Sequence, residues 1–191
     1  MARTREFNPD AVLESAVNLF WLKGYNACSI ADVCEDSGVA RYGLYQEFGD
    51  KDVLYRAALQ RYRKMVNGIL QNLRTPDASF AEIVGHFEFF LTLLKQGNRR
   101  GCLACQAAIE RARDDPEVAA IVRDTFDDIK SACENALRNA VAAGEVRNLP
   151  LDTLTIYLLG VQRTLVTMVR SNSTYEETET YVHCALELLK P

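Results

Sequence analysis

Residues 29–48 read SIADVCEDSGVARYGLYQEF, and the order of polar, small and apolar residues in this stretch decides the fold. Ser29 starts the stretch as a helix N-cap, because its hydroxyl can accept a hydrogen bond from the third helical amide. The pattern predicts a short helix over 30–36. Gly38 then ends that helix, since glycine readily adopts the positive φ that a tight turn between helices requires. A second short helix is predicted over 40–48.

A longer helix is predicted just before this pair. Asn8 and Pro9 place an N-cap ahead of a proline at the first helical position, and apolar residues then recur at three- and four-residue spacing until Gly24. Two short helices that are joined by a glycine-containing turn and supported by a preceding helix are typical of a helix-turn-helix unit. In such a unit the later helix enters the major groove of DNA.

The remainder of the chain keeps the helical spacing of apolar residues, and no run alternates over the length that a strand needs. The sequence therefore predicts an all-α fold of about nine helices without a sheet. Beyond the first three, the expected helices cover 51–73, 79–95, 102–113, 116–143, 152–170 and 175–189. The run Thr75-Pro76-Asp77 marks a boundary. It separates a helix-turn-helix DNA-binding domain over 1–50, with a connector helix over 51–74, from a ligand-binding and dimerisation domain over 75–191.

The composition is that of an ordinary globular protein. Of the 191 residues, 48% are apolar and 25% are charged, which excludes fibrous and disordered classes. The start Met-Ala-Arg-Thr-Arg-Glu lacks the apolar core of a signal peptide, and no apolar stretch is long enough to span a membrane. We therefore expect a cytoplasmic protein without membrane contact, whose 6 cysteines are reduced thiols. The net charge of −4 does not indicate a partner.

The helix-turn-helix region resembles the N-terminal domain of TetR-type transcriptional regulators. The residues that carry the resemblance are Phe20, Lys23-Gly24-Tyr25, Ser29-Ile30-Ala31-Asp32-Val33, Ser37-Gly38-Val39, Leu44-Tyr45, Phe48 and Lys51. They form a dense and ordered set, and the expected helix count agrees with the fold of that family. The resemblance implies a repressor that binds a palindromic operator on double-stranded DNA as a homodimer and is released by a small-molecule inducer.

The resemblance also implies which residues contact the DNA backbone. Ser29, at the amino end of the second helix, and Lys51 would each bind a phosphate. Tyr45 would form a hydrogen bond to another phosphate. Leu44 and the neighbouring aromatic residues are instead expected in the core, where they fix the angle between the helices.

Arg41, Tyr42 and Gly43 open the recognition helix under this resemblance. Arginine can reach a guanine edge with two hydrogen bonds, and Gly43 allows close approach of the backbone. Arg3 and Arg5 precede the first helix and would contact phosphate or the minor groove. Two plainer interpretations stay open, in which Arg41 is a solvated surface charge and the N-terminal arginines belong to a solubilising tail.

Cys102 and Cys105 form a second pattern, because their spacing puts both thiols on one side of a helix. Cys102 follows Gly101 near a helix N-terminus, behind Arg99 and Arg100, where the helix dipole and the positive charges favour a thiolate. A Gly-Cys-Leu start to this helix is similar to a subset of TetR regulators, some of whose members sense electrophiles through the cysteine. Three interpretations stay open, namely buried packing, redox or electrophile sensing, and metal binding.

An effector pocket is expected in the second domain. It would draw on residues that suit a small hydrophobic or electrophilic molecule, namely Phe87, Phe90, Cys102, Tyr157 and Met168. Each of these residues would serve equally well as core packing. The helices over 152–170 and 175–189 are expected to pair with their copies in a four-helix dimer interface.

No pattern of catalytic residues stands out in the sequence. It contains no phosphate-binding glycine loop, no Gly-x-Ser-x-Gly elbow and no His-Glu-x-x-His helix. We therefore expect neither an enzyme nor a cofactor or metal requirement. The alternative function is a thiol-stress or small-molecule sensor that acts through a protein partner without binding DNA. Its support is Glu47 in the recognition helix and the first 65 residues, in which nine basic and nine acidic side chains cancel.

Overall fold

A computed structural model describes residues 7–191, so Arg3 and Arg5 lie outside the described residues. Within that range the chain forms nine α-helices, one 3₁₀ turn and no strand, which confirms the predicted all-α fold. No helix in this part of the chain is long and apolar enough to cross a membrane. The 3₁₀ turn covers Asn72–Arg74, and the helices are α1 (Pro9–Lys23), α2 (Ile30–Ser37), α3 (Arg41–Phe48), α4 (Lys51–Ile69), α5 (Phe80–Lys95), α6 (Leu103–Glu110), α7 (Pro116–Ala142), α8 (Leu151–Arg170) and α9 (Tyr175–Glu187).

The predicted capping residues set the helix starts. The Asn8 side chain accepts a hydrogen bond from the Asp10 amide at 3.0 Å, ahead of the proline that opens α1. Thr174 caps α9 in the same way and accepts from the Glu177 amide at 3.1 Å. Gly38 ends α2 with a φ of 70°, the left-handed conformation that the sequence required of it.

Two predicted helix ends are wrong. The helix predicted over 51–73 ends at Ile69, because the amides of residues 71, 73 and 74 donate to carbonyls three positions back, which gives a 3₁₀ turn in place of the last α-helical turn. The helix predicted over 102–113 ends at Glu110. The next two amides both donate to the Ala107 carbonyl, which closes the helix at that point.

The chain falls into two compact units. The first consists of Met1–Met65 and Cys102–Asp124, and the second consists of Val66–Gly101 and Thr125–Pro191. The helices α4 and α7 each contribute residues to both units. The functional domain boundary near residue 75 follows from the sequence pattern and stays a prediction.

The core of the first unit is aromatic. Phe20 and Tyr55 are fully buried, and their ring centroids lie 4.9 Å apart in an edge-to-face contact. Tyr25 makes a second such contact with Tyr55 at 4.8 Å. Leu44, the buried residue of α3, has no exposed surface. Its burial fixes α3 from the inside and leaves the remaining side chains of this short helix for the surface.

In the second unit, α9 packs against both α5 and α8. The segment that leads into α5 is held by two asparagines of α7. Asn135 donates to the carbonyls of residues 73 and 75, both at 2.9 Å. Asn139 donates to the carbonyls of residues 76 and 78, at 3.0 Å and 2.8 Å. These side-chain amides satisfy carbonyl groups that the irregular segment cannot pair within itself.

Replacing Leu44 by alanine tests the packing of α3. We expect Leu44→Ala to lower the free energy of unfolding by about 2–5 kcal/mol, because it leaves a cavity in the core. Tyr42→Ala in the same helix is the matched control, since its ring is 68% exposed and its loss should cost less than about 0.5 kcal/mol. Urea denaturation followed by circular dichroism measures the free energy of unfolding of both variants. Equal losses of stability in the two variants would contradict the burial pattern.

Candidate nucleic-acid interface

The exposed surface of α3 carries the side chains that were predicted to contact DNA. Tyr42 is 68% exposed and Tyr45 is 41% exposed, and Arg41 and Gln46 are exposed as well. The Arg41 Cζ lies 5.6 Å from the Tyr45 ring centroid, and its Nη2 lies 3.4 Å from the Tyr45 hydroxyl. This cation–π contact restricts the guanidinium to the surface that also presents the tyrosine hydroxyl. The structure thus brings three predicted residues together, and their contacts with DNA stay a prediction.

Gly43 permits a packing contact that the sequence did not indicate. A Cβ at this position would lie 2.9 Å from Cε1 of Phe7 and 3.5 Å from the Val39 side chain. The absence of a side chain therefore lets the Phe7 ring lie against the recognition helix. The approach of the Gly43 backbone to DNA stays a prediction.

Ser29 and Asp32 form a capping box at the start of α2. The Ser29 amide and hydroxyl donate to the Asp32 carboxylate at 2.6 Å and 2.5 Å, and the Asp32 amide donates back to the hydroxyl at 3.1 Å. Lys23 pairs with the same carboxylate at 2.7 Å. The hydrogen bonds from Lys23 and Ser29 hold the pKa of Asp32 well below its usual range. A phosphate at this helix end would have to replace the Asp32 carboxylate, and the Ser29 contact stays a prediction.

Lys51 lies over the ring of Tyr25, with its Nζ 4.1 Å from the ring centroid. The Arg111 Cζ lies 4.5 Å from the same centroid, and the Tyr25 hydroxyl donates to the Asp52 carboxylate. Burial and the hydrogen bond to Asp52 raise the pKa of Tyr25 to about 12, so the hydroxyl keeps its proton at neutral pH. Lys51 is therefore positioned at the first turn of α4 by an aromatic contact, and its phosphate contact stays a prediction.

Glu110, the last residue of α6, binds the turn between α1 and α2. Its carboxylate accepts from the Tyr25 amide at 2.6 Å and from the Asn26 amide at 3.3 Å. A Cβ at Gly24 would lie only 2.4 Å from the Glu110 Oε1, so this glycine makes room for the carboxylate. One turn earlier in α6, the Gln106 amide donates to the Trp21 carbonyl at 3.2 Å. The α6 helix thus fixes both the end of α1 and the turn that leads to α2.

Ion pairs hold the start of α7 against α4. Arg111 lies 3.1 Å from Asp52, and Arg56 lies 3.0 Å from Asp115. Asp115 also caps α7, because its Oδ1 accepts from the Glu117 amide at 3.0 Å and from the Val118 amide at 3.1 Å. Burial opposes ionisation of Asp115, but the backbone amides and Arg56 outweigh it and lower the pKa. The capping role predicted for Asp115 and the proline after it is confirmed.

The two thiols lie at the start of α6. Cys102 is the N-cap, and the Tyr62 hydroxyl donates to its Sγ at 3.4 Å. Hydrogen bonds from Cys105, Tyr62 and backbone amides of the first turn lower the pKa of Cys102 despite its burial. Both thiols are reduced in the structure. Within the described residues, no three side chains of the metal-binding types are placed to hold a metal ion.

The five residues predicted to bind an effector do not share one environment. Phe87 is fully buried in the core, and the Tyr157 hydroxyl donates to the Ala185 carbonyl at 2.8 Å. Phe90 and Met168 are half-buried. These four belong to the second unit, whereas Cys102 belongs to the first. Their part in effector binding stays a prediction.

The short helices α2 and α3, supported by α1 and carrying an exposed basic and aromatic surface, define a helix-turn-helix DNA-binding protein. Residues 12–58 match the family described as "Bacterial regulatory proteins, tetR family", and residues 80–183 match "Tetracyclin repressor-like, C-terminal domain". The second match covers more than half of the chain. The chain therefore belongs to the TetR family of transcriptional regulators.

Individual relatives extend this assignment along the chain. The uncharacterized HTH-type transcriptional regulator YezE of Bacillus subtilis is 26% identical over 193 residues, which is 99% of this chain and 100% of YezE. The HTH-type transcriptional repressor ComR of Escherichia coli is 47% identical over 60 residues, which is 31% of this chain and 29% of ComR. A cysteine mutant of the TetR family regulator CifR, complexed with 26-base-pair operator DNA, aligns with a TM-score of 0.75 and 25% identity over 97% of this chain and 98% of its own.

Replacing Glu110 by alanine tests its hold on the turn between α1 and α2. We expect Glu110→Ala to lower the free energy of unfolding by about 1–2 kcal/mol, because the amides of residues 25 and 26 lose their acceptor. Hydrogen exchange at those two amides should accelerate at the same time. Glu176→Ala, which removes an exposed carboxylate from the first turn of α9, is the control. Unchanged exchange at both amides in Glu110→Ala would show that the contact does not hold the turn.

Proposed function

We propose that the protein is a repressor that binds a palindromic operator as a homodimer and leaves it when a small effector binds. The observation that carries the proposal is the surface of Arg41, Tyr42 and Tyr45 on a helix whose inner side is fixed by Leu44. The repressor ComR and the operator complex of CifR support it among the similar proteins. The protein acts by binding rather than by catalysis, in the cytoplasm where its operator lies.

The contacts with DNA divide into two kinds. Arg41 reads a base edge, because its guanidinium can form two hydrogen bonds to guanine. Tyr42 and Gly43 lie next to it at the start of α3 and approach the same groove. The remaining residues bind phosphate or the minor groove and set the register of the protein on DNA, namely Ser29, Tyr45, Lys51, Arg3 and Arg5.

A palindromic operator requires two copies of α3 about 34–36 Å apart, and hence a symmetric dimer. We assign the interface to α8 and α9. Ile156 on α8 is 70% exposed and Leu188 directly after α9 is 60% exposed, so each leaves an apolar side chain that a second copy can cover. Gly160, one turn after Ile156, is exposed and has open space where a side chain would be, which permits close approach of a facing helix.

Release by an effector is proposed to act through α4. This single helix begins with Lys51 and Asp52, which contact Tyr25 beside the turn between α1 and α2, and it ends at Ile69 in the second unit. An effector that binds the second unit and displaces the end of α4 therefore acts on the helix that positions Lys51. The effector must bind the DNA-incompetent state more tightly, since equal affinity for both states shifts nothing.

Fluorescence anisotropy with the DNA upstream of the protein's own gene tests the proposal. We expect binding that weakens steeply with salt, because phosphate contacts release counterions. Arg41→Ala should cost about 1–3 kcal/mol in affinity, and the same titrations give the number of chains per operator. Arg138→Ala, an exposed arginine of α7, is the matched control for lost charge.

A remote operator would still leave salt-sensitive binding to random DNA. Absence of such binding even to random duplex would overturn the DNA-binding proposal and favour a sensor that acts through a protein partner. If Arg41→Ala and Arg138→Ala lose equal DNA affinity, Arg41 acts only as a general surface charge.

An electrophilic effector is the second candidate, and the Cys102 geometry favours it. The sulfur accepts hydrogen bonds from Tyr62 and from the start of α6, which stabilise its thiolate. Such a thiolate adds to an activated carbon–carbon double bond: the carbon–sulfur bond forms as the π bond breaks, and the neighbouring carbon takes a proton from water. The modified sulfur can no longer accept the Tyr62 hydrogen bond in the same way, so modification changes the contact between α6 and α4.

Alkylation by iodoacetamide tests the reactivity of Cys102. Because its pKa is lowered, its reaction should reach full rate at a lower pH than that of free glutathione. Tyr62→Phe removes one donor to the thiolate and should shift the rate profile of Cys102 toward higher pH. Mass spectrometry of the peptide that contains Cys102 follows the reaction. A glutathione-like profile in the wild type would contradict the proposed activation.

A further inference from the structure

A cavity of about 580 Å³ lies in the second unit, at the end of α4, beside the 3₁₀ turn and along α5. This volume is in the range that binds small organic molecules. The lining residues that determine its chemistry are Gly68, Asp77, Glu82, Gly85, His86 and Phe89. None of the residues predicted from sequence to bind an effector lines it. Its ligand must therefore be deduced from its own walls.

Two glycines leave the cavity open. Gly68 in α4 and Gly85 in α5 both have no atom within 4 Å of the place where a Cβ would lie. Neither glycine has a positive φ, so the backbone does not require glycine at either position. Glycine inside a helix costs about 1 kcal/mol relative to alanine. Both glycines are exposed, so the open space beside them is accessible from solvent.

The charge on the cavity wall is negative. Asp77 and Glu82 are lining residues, and no lysine or arginine lines the cavity. The Ser79 amide donates to Glu82 at 2.7 Å, and this hydrogen bond lowers the pKa of Glu82, which keeps it ionised at neutral pH. A carboxylate or phosphate ligand would meet repulsion without any compensating cation. The cavity wall therefore disfavours negatively charged ligands.

His86 is a buried, neutral lining residue of the cavity. Its side chain is buried, its Nε2 lies 3.4 Å from Gln162 Oε1, and its Nδ1 has no hydrogen-bond partner among the described residues. Burial lowers the pKa of His86 to about 4, so the ring is neutral at pH 7. Donation from Nε2 to Gln162 leaves Nδ1 as the bare acceptor of this tautomer. This nitrogen is itself buried, so a molecule in the cavity does not reach it, and His86 contributes a neutral ring to the wall rather than a hydrogen bond.

Phe89 gives the cavity an aromatic surface. Its ring lines the cavity and is 41% exposed, which is unusual for a residue of this size on a helix with a buried face. An exposed aromatic ring can pack against an apolar body or attract a cation to its face. The wall thus combines an aromatic surface with negative charge.

We propose that this cavity binds a small organic ammonium compound with an aromatic or aliphatic body. The ammonium group lies beside Asp77 and Glu82, and the body packs on Phe89 and occupies the space beside Gly68 and Gly85. The cavity selects its ligand by charge, because a neutral or anionic analogue of the same shape lacks the attraction of the two carboxylates.

The site deepens the proposed function, on which its role as an effector site rests. Gly68 and Ile69, which line the cavity, are the last two residues of α4. A ligand in contact with them acts on the helix that carries Lys51 at its other end. Ligand binding is measured without DNA, so failure of the site and failure of the regulator proposal give different results.

Isothermal titration calorimetry with four probes of one shape tests the ligand class. The probes are phenethylamine, phenethyl alcohol, hydrocinnamate and phenethyltrimethylammonium. We expect phenethylamine to bind, the alcohol to bind at least about five-fold more weakly because it lacks the charge, and hydrocinnamate not to bind. Phenethyltrimethylammonium keeps the charge and the aromatic ring, and should bind within about five-fold of phenethylamine.

Variants locate the binding in the cavity. Gly85→Leu places a side chain in the open space and should abolish phenethylamine binding, whereas Gly85→Ala should keep the fold and most of the binding. Asp77→Asn should weaken binding about two- to five-fold, with Asp127→Asn on the exposed side of α7 as the matched control. Phe89→Ala should weaken it about five-fold. Circular dichroism and thermal melting establish that each variant is folded.

The outcomes separate the two proposals. Equal binding of phenethylamine and hydrocinnamate, unchanged binding in a folded Gly85→Leu variant, or no binding of phenethylamine at millimolar concentration would each overturn the ligand site. Phenethylamine binding that Gly85→Leu abolishes establishes it. Whether phenethylamine then lowers operator affinity in the anisotropy assay decides the effector role. If the protein without any ligand does not bind DNA, only the regulator proposal is contradicted.

Discussion

The geometry of the helix-turn-helix region depends on one carboxylate, that of Glu110. The turn between α1 and α2 presents two backbone amides that its own residues do not satisfy, and Glu110 accepts from both. The carboxylate can reach them because Gly24 has no side chain and a φ of 82°. Since α3 follows α2 after a tight turn at Gly38, the angle at which α3 is presented depends on how firmly this first turn is held.

Electrostatic contacts around this carboxylate act together rather than singly. A half-exposed ion pair contributes only a few tenths to about 1 kcal/mol. Arg111, however, contacts the Tyr25 ring and the carboxylates of Asp52 and Asp115, so each of its contacts restricts the others. Asp115 is only 4% exposed and is also a helix cap, which makes its position hard to change. Tyr25, the beginning of α4 and the beginning of α7 are thereby fixed to one another.

The sequence was sufficient for the parts that local chemistry determines. Caps and breakers such as Asn8, Ser29 and Gly38 specify their neighbours through contacts a few residues apart, so the helix-turn-helix unit and the family were predictable. The end of α6 at Glu110 was not, because the helix stops where its side chains contact residues more than 80 positions earlier. The role of Gly43 in DNA approach stays a prediction, whereas its close contact with Phe7 was not predictable, because only the folded chain shows it.

The proposed effector site shows the same difference between local and long-range information. Aromatic residues in the sequence suggested a hydrophobic pocket, yet Phe87 is a core residue, and no sequence pattern distinguishes a buried phenylalanine from a lining one. The cavity is visible in the sequence only as two helical glycines, Gly68 and Gly85, which look like weak points of a helix. The space beside Gly68 and Gly85 is open because no other atoms pack there, and packing cannot be read from the order of residues along the chain.

The helix α4 is the element on which these observations converge. Tyr62 of α4 donates to the Cys102 sulfur, Gly68 and Ile69 at its end line the cavity, and Lys51 and Asp52 at its start contact Tyr25. A helix is stiff along its axis, because each residue is bonded to the fourth one before it, so a displacement at one turn is carried to the others. Under the two proposals, modification of Cys102 and occupation of the cavity are therefore two different chemical inputs to the same helix. Because both act on the same helix, a ligand in the cavity and a modified thiol should not have independent effects on operator affinity, and their coupling free energy measures how far α4 moves as one body.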